Sequence, residues 1–132
     1  AHLADVRFVQ ADLLEFFDQP HPFDRLISTY ALHHLTEPEK TQLFRFIWRD
    51  LTPGGRAVFG DLMFANAAAR AEIETLYRTA GDTGMIETFA EEFFWLVDSA
   101  CASLFETGFD VVEVKRFSQL SWGICVVKPH GA

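Results

Sequence analysis

Basic residues are scarce in this chain: eleven Lys and Arg stand against nineteen Asp and Glu, a formal charge of −8. Those eleven form no cluster, so the surface lacks the basic stripe that follows a phosphate backbone, and nucleic acid is not expected as a partner. No apolar run approaches the roughly 20 residues of a membrane-spanning helix, so a soluble protein with no membrane partner is expected. Cysteine occurs only at positions 101 and 125, the first in a helix-like run and the second in a strand-like one. Both read as buried free thiols. There is no G-x-G-x-G string anywhere, and so no self-contained glycine loop to cradle a cofactor.

What the chain has in abundance is apolar and aromatic surface. Hydrophobic residues make up 49% of its 132 positions, with fourteen Phe and three Trp. That is enough for one core, and a single domain over 1–132 is expected. With no signal-type amino terminus, a cytoplasmic home is expected. The chain begins at Ala1 rather than at Met, which reads as an excerpt of a longer protein.

Val6 to Gln10 (VRFVQ) has the alternation of a short strand that ends at Ala11-Asp12. Arg25 to Tyr30 reads as a second strand. Thr36-Glu37-Pro38-Glu39 is a capping box and predicts a helix start, and Phe44, Ile47, Trp48 and Leu51 then form one apolar stripe facing a sheet. Thr52-Pro53-Gly54-Gly55 stops that helix before a third strand, Arg56 to Met63. Beyond Asn66 a second helix carries Ile73, Leu76, Tyr77 and Ala80 on one face and ends at Gly81. One further helix is expected from about Glu87 to Thr107, with Phe93, Val97, Ala100, Cys101, Leu104 and Phe105 on its stripe and Gly108 as its stop. Phe109 to Phe117 and Leu120 to Lys128 are joined too tightly for a helical crossover, so they should pair antiparallel. The pattern is α/β: a mostly parallel sheet closed by a carboxyl-terminal antiparallel hairpin.

VRFVQADLLEF, then FDRLISTYALHHL, a helix, LTPGGRAVFGD and a closing GFDVVEVKRF with its return strand resemble the class I, Rossmann-like, S-adenosylmethionine-dependent methyltransferases. The resemblance runs from Val6 to Lys128 and is nearest to small, soluble bacterial members. It implies methyl transfer from S-adenosylmethionine to a small-molecule acceptor. By that resemblance Asp12 accepts from the adenine amine, with Leu13 beside it packing on the ring, while Ser28, Thr29 and Tyr30 line the methionine end and the transferring methyl. From the residues alone, Asp12 can equally cap the following turn, and 28–30 can be a plain strand-to-helix bend.

His33 and His34 are the catalytic candidates, since an imidazole near the acceptor can act as general base. Methyl transfer rarely demands one, and a hydrogen-bonding role competes. No metal site is expected: the two His are adjacent rather than spaced i, i+4, and no Cys or His stands at ligand spacing from them. Asp61 can orient an acceptor or pair with a helix terminus. Met63, Phe64, Tyr77, Phe89, Phe93, Phe94 and Trp95 lie in the stretch that shapes the acceptor pocket in the family, most of them as core. Glu87, Glu91 and Glu92 read as a solvated helix face.

The chain departs from the family at its front. The family's glycine loop after its first strand is missing, as is the acidic residue that holds both ribose hydroxyls after its second. In the family's seven-stranded order, three-two-one-four-five-seven-six, the missing strands leave two vacant places between the Val6 and Arg25 strands, a gap of roughly 14 Å at about 4.8 Å per step. Either the Val6 strand closes up against the Arg25 strand, or the sheet keeps an exposed apolar edge that invites self-association. Two other readings compete: a non-catalytic interaction module or remnant that cannot bind the cofactor alone, and a different Rossmann-like enzyme whose dinucleotide fingerprint would lie on the missing segment.

Overall fold

The computed structural model describes residues 5–131. Asp12 caps a short helix α1, Leu13–Phe16; β1 is Phe23–Thr29, followed by a 3-10 turn at Leu32–His34; α2 is Glu37–Asp50 and β2 is Leu51–Phe64. Then come α3, Ala67–Thr79, α4, Thr83–Glu91, a two-residue β3, Trp95–Leu96, α5, Val97–Thr107, and the hairpin of β4, Asp110–Arg116, and β5, Ser121–Val127. The sheet order is β1-β2-β5-β4, with β3 pairing with β2 off that path. Pairing is parallel for β1–β2 and β2–β3 and antiparallel for β2–β5 and β4–β5. The result is a mixed α/β sheet whose order repeats the four-five-seven-six end of the family's sheet.

The expected capping box is present. The Thr36 amide donates to Glu39 Oε1 at 2.9 Å and the Glu39 amide to Thr36 Oγ1 at 3.4 Å. These bonds hold the Glu39 carboxyl below the usual carboxylate range. Phe44, Ile47 and Leu51 are buried with Ala57, Phe59, Leu104 and Ile124 in the main core, between the sheet and helices α2 and α5. A smaller core of Phe64, Ile73, Phe89 and Phe94 sits under α3 and α4. Ile27, Val58 and Cys125 stand side by side across β1, β2 and β5, on the sheet face away from the main core, and Ile27 is 77% exposed.

Three expectations fail. Val6–Gln10 is irregular and exposed, with Phe8 95% exposed, because a strand needs a ladder partner and no described strand lies beside it. β2 begins at Leu51 rather than Arg56, with a register shift opposite Phe23–Arg25 that absorbs the Pro-Gly-Gly turn. The single helix over 87–107 is two, broken at Glu92–Phe94 where Trp95 and Leu96 pair with Met63 and Phe64. Bulky aromatic residues there gain more from the edge of β2 than from another helical turn. The stripes are also narrower than expected: Leu76 and Phe105 point to solvent.

Gly108 ends α5 at φ 123°, and a Cβ built there meets the Trp48 ring at 2.9 Å. Gly108→Ala should therefore lose about 1–3 kcal/mol in urea unfolding, from left-handed backbone strain plus displacement of the ring. A loss below about 0.5 kcal/mol would show that the Trp48 ring yields freely.

Candidate functional site

The candidate site residues gather near the carboxyl ends of β1 and β2, where topology places ligands in an open α/β sheet. β1 runs out at Ser28 and Thr29, and Tyr30 follows at φ +51°, a left-handed conformation rare for a bulky residue. Its amide is held by the Gly60 carbonyl at 2.8 Å, and its hydroxyl lies 3.3 Å from Ser121 Oγ on the neighbouring hairpin. Strain held by such contacts is a recurrent mark of working positions.

Leu13, Ser28 and Thr29 share a cavity of about 380 Å³ with Phe16, Ala31 and Phe59. Three of the five expected cofactor residues thus meet at one place, although α1 and β1 are separate elements. Tyr30 is not part of that wall. Asp12 is not part of the wall either: it caps α1, where its Oδ1 accepts from the Leu14 amide at 3.0 Å and the Glu15 amide at 3.2 Å. The capping alternative is therefore realised, and Oδ2 meets no donor among the described residues.

Behind Tyr30 the chain makes its 3-10 turn, and buried Asp61 on β2 organises it. Oδ2 accepts from the amides of Leu32 at 3.0 Å and His33 at 2.9 Å, while Oδ1 accepts from His33 Nδ1 at 2.7 Å and from its neighbour Leu62 at 2.8 Å. Of its two expected roles, Asp61 takes the pairing with a helix terminus. His33 is buried, edge-on to Phe94; His34 faces outward with Nδ1 3.0 Å from Glu92 Oε2. Glu92 is thus not part of a solvated face. It closes α4 as its C-cap, and the imidazole it meets is 58 residues away.

The segment that carries Glu92 is tied down twice. The Phe93 amide donates to the His33 carbonyl at 2.8 Å, and the ammonium of Lys40 donates to the Phe93 carbonyl while lying over the Trp95 ring. Burial pushes Lys40 below the ordinary lysine value, partly offset by its bond to Glu37. Lys40 escaped sequence reading because a lysine on a polar-looking helix turn gives no sign of being buried. Met63, Phe64, Phe89, Phe94 and Trp95 are core, as expected for most of that group, while Phe93 is exposed. Cys101 and Cys125 are half-buried free thiols, and burial with Asp98 nearby raises the Cys101 thiol further from reactivity.

A family model described as "Methyltransferase domain" matches residues 1–55. An uncharacterized methyltransferase of Oceanobacillus iheyensis is 29% identical over 96% of this chain and 59% of its own length. Another, from Bacillus pumilus, is 35% identical over 77% of this chain and 48% of its own. The chain thus spans about half the length of the curated relatives it matches. Among solved structures, human N-acetylserotonin methyltransferase in complex with SAM superposes with a TM-score of 0.69 at 18% identity, over 98% of this chain and 35% of that one. An O-methyltransferase family 2 protein from Planctomyces limnophilus, in complex with apigenin, gives 0.66 at 18% identity over 89% of this chain and 33% of its own. At such identities the structures speak for the fold alone, while the curated relatives supply the kinship in sequence. The chain is thus similar in sequence to uncharacterized bacterial methyltransferases over part of their length, and it shares its fold with S-adenosylmethionine-dependent methyltransferases.

Proposed function

We propose that the protein transfers a methyl group from S-adenosylmethionine to a small-molecule acceptor at the carboxyl ends of β1 and β2. The observation that carries this reading is the meeting of Leu13, Ser28 and Thr29 around one cavity of about 380 Å³, beside the strained Tyr30. That volume is within the usual range for a small-molecule site.

The residues fit one end of the cofactor. The free oxygen of Asp12 can accept from the adenine amine, and Leu13 with Phe16 offers apolar surface to the ring. No charged side chain lines the cavity, and Ser28 and Thr29 supply its side-chain hydroxyls. When bound, the cofactor supplies a methyl group activated on sulfonium sulfur. The contribution of this chain is then to position the nucleoside, exclude water and hold the acceptor in line. His33 has its Nδ1 tied to buried Asp61, which fixes the turn and leaves Nε2 as the only ring nitrogen that could act as a base. The apolar cavity and the aromatic insert favour an acceptor with apolar character; the apigenin complex of the Planctomyces limnophilus protein shows that the fold can meet such a ligand. A cytoplasmic setting belongs to the same reading and agrees with two free thiols.

Calorimetric titration of S-adenosylhomocysteine, with Asp12→Ala alongside, tests the assignment. Saturable binding, weakened about tenfold in the variant, is expected. Unchanged affinity in Asp12→Ala would move adenine away from that residue. No binding at millimolar ligand would show that the described residues do not hold the cofactor by themselves.

The bare sheet favours a second reading, an interaction module. β1 has no partner on its outer edge among the described residues, and its Ile27 stands exposed on the sheet face. A sharp dimer on size-exclusion chromatography, with no cofactor affinity, would support that reading.

A further inference from the structure

His33 and His34 in the 3-10 turn and Glu92 at the end of α4 place one ligand atom each within 4.8 Å of one another. We propose that these three side chains form a site for a zinc ion, with a fourth position open to solvent. Two imidazoles and one carboxylate are a donor set that zinc accepts readily.

The orientation of His33 is the strongest part of the case. Asp61 is an acceptor at both oxygens, so the proton of the His33–Asp61 bond belongs on Nδ1. That leaves Nε2 with its lone pair, and no described residue donates to it. A carboxylate fixing the far nitrogen is the outer-shell arrangement that orients metal-binding histidines. The backbone bond from Phe93 to the His33 carbonyl and the Lys40 bond to Phe93 then hold the Glu92 segment against the same turn.

The spacing is workable. Zinc bonds of about 2.0–2.2 Å set tetrahedral ligand edges near 3.4 Å. His34 Nδ1 and Glu92 Oε2 are already 3.0 Å apart. The His34 side chain is 62% exposed and that of Glu92 31%, so both can turn toward an ion while His33 stays fixed. Sequence spacing disfavoured a metal because the two His are neighbours with no third ligand nearby. The third ligand arrives only through the fold.

The test is calorimetric titration of zinc chloride into the untagged chain, stripped with chelator and dialysed, independent of any methyl-transfer assay. One-to-one binding at about micromolar Kd or tighter is expected. His34→Ala and Glu92→Gln, both at accessible side chains, should each weaken it at least tenfold, with circular dichroism confirming that each variant is folded. His130→Ala, remote in sequence from the cluster, should leave it unchanged. X-ray absorption of the zinc-loaded chain should show two imidazoles in a shell of nitrogen and oxygen only. Absence of saturable binding would overturn the proposal and leave His34–Glu92 as a hydrogen-bonded contact alone. Binding that survives both variants would overturn it equally.

Discussion

Asp61→Ala is expected to lower the unfolding free energy by about 3–5 kcal/mol, the largest loss from any single polar substitution in this chain. Asp61 is only 1% exposed, and its two oxygens accept from three backbone amides and one imidazole. Truncation strands the Leu32 and His33 amides in a dry setting, where each orphaned donor costs about 1–3 kcal/mol. Asp61→Asn keeps the volume but replaces one acceptor oxygen with a donor that faces other donors. It should therefore recover less than half of the loss. Urea unfolding monitored by tryptophan fluorescence measures both, and the His33 Nδ1–H resonance should vanish in Asp61→Ala. A loss below about 1 kcal/mol would mean that water takes the place of the carboxylate and that the turn does not depend on it.

Leu104→Ala should lose about 2–5 kcal/mol, whereas Phe105→Ala, next to it in sequence and larger, should stay within about 0.5 kcal/mol. Leu104 is fully buried among the main-core residues from α2 and the sheet; Phe105 is 70% exposed on the outer side of α5. Both lie on the same apolar stripe in sequence. Equal losses would mean that α5 is rotated from the orientation described. The comparison is best made by urea midpoint at constant m-value, so that a change in the unfolded state is not mistaken for a change in packing.

These two experiments also mark where sequence reading reached and where it stopped. Local signals were legible. The Thr36–Glu39 box, the Asn66 cap, the Gly108 stop and the alternation in β4 and β5 each depend on residues within a turn or a strand of one another. The Val6–Gln10 segment shows the limit of such signals, because alternation describes a surface suited to a sheet without supplying a neighbour to pair with. The break at Glu92–Phe94 was hidden because Phe93 and Val97 stand four apart and continue the helical stripe across it. In the site, Leu13, Ser28 and Thr29 were legible through family resemblance and do meet. The His33–Asp61 contact spans 28 residues and His34–Glu92 spans 58, and no periodicity links such positions. Charge was misleading at Lys40 and Glu92, since polarity gives no indication of which polar residues find partners.

The two cores touch at a narrow seam, where Met63 and Phe64 of β2 meet Trp95 and Leu96. Everything between those dipeptides, α3 and α4 with their own apolar cluster, is inserted into the sheet scaffold as a module with its own interior. Mutations there repack a compartment in which Ile73, Phe89 and Phe94 meet Phe64 of β2, and they replace no residue of the ladder of β1, β2, β5 and β4. Sequence change on the outward faces of α3 and α4 can therefore accumulate with little effect on how β1, β2, β5 and β4 pair.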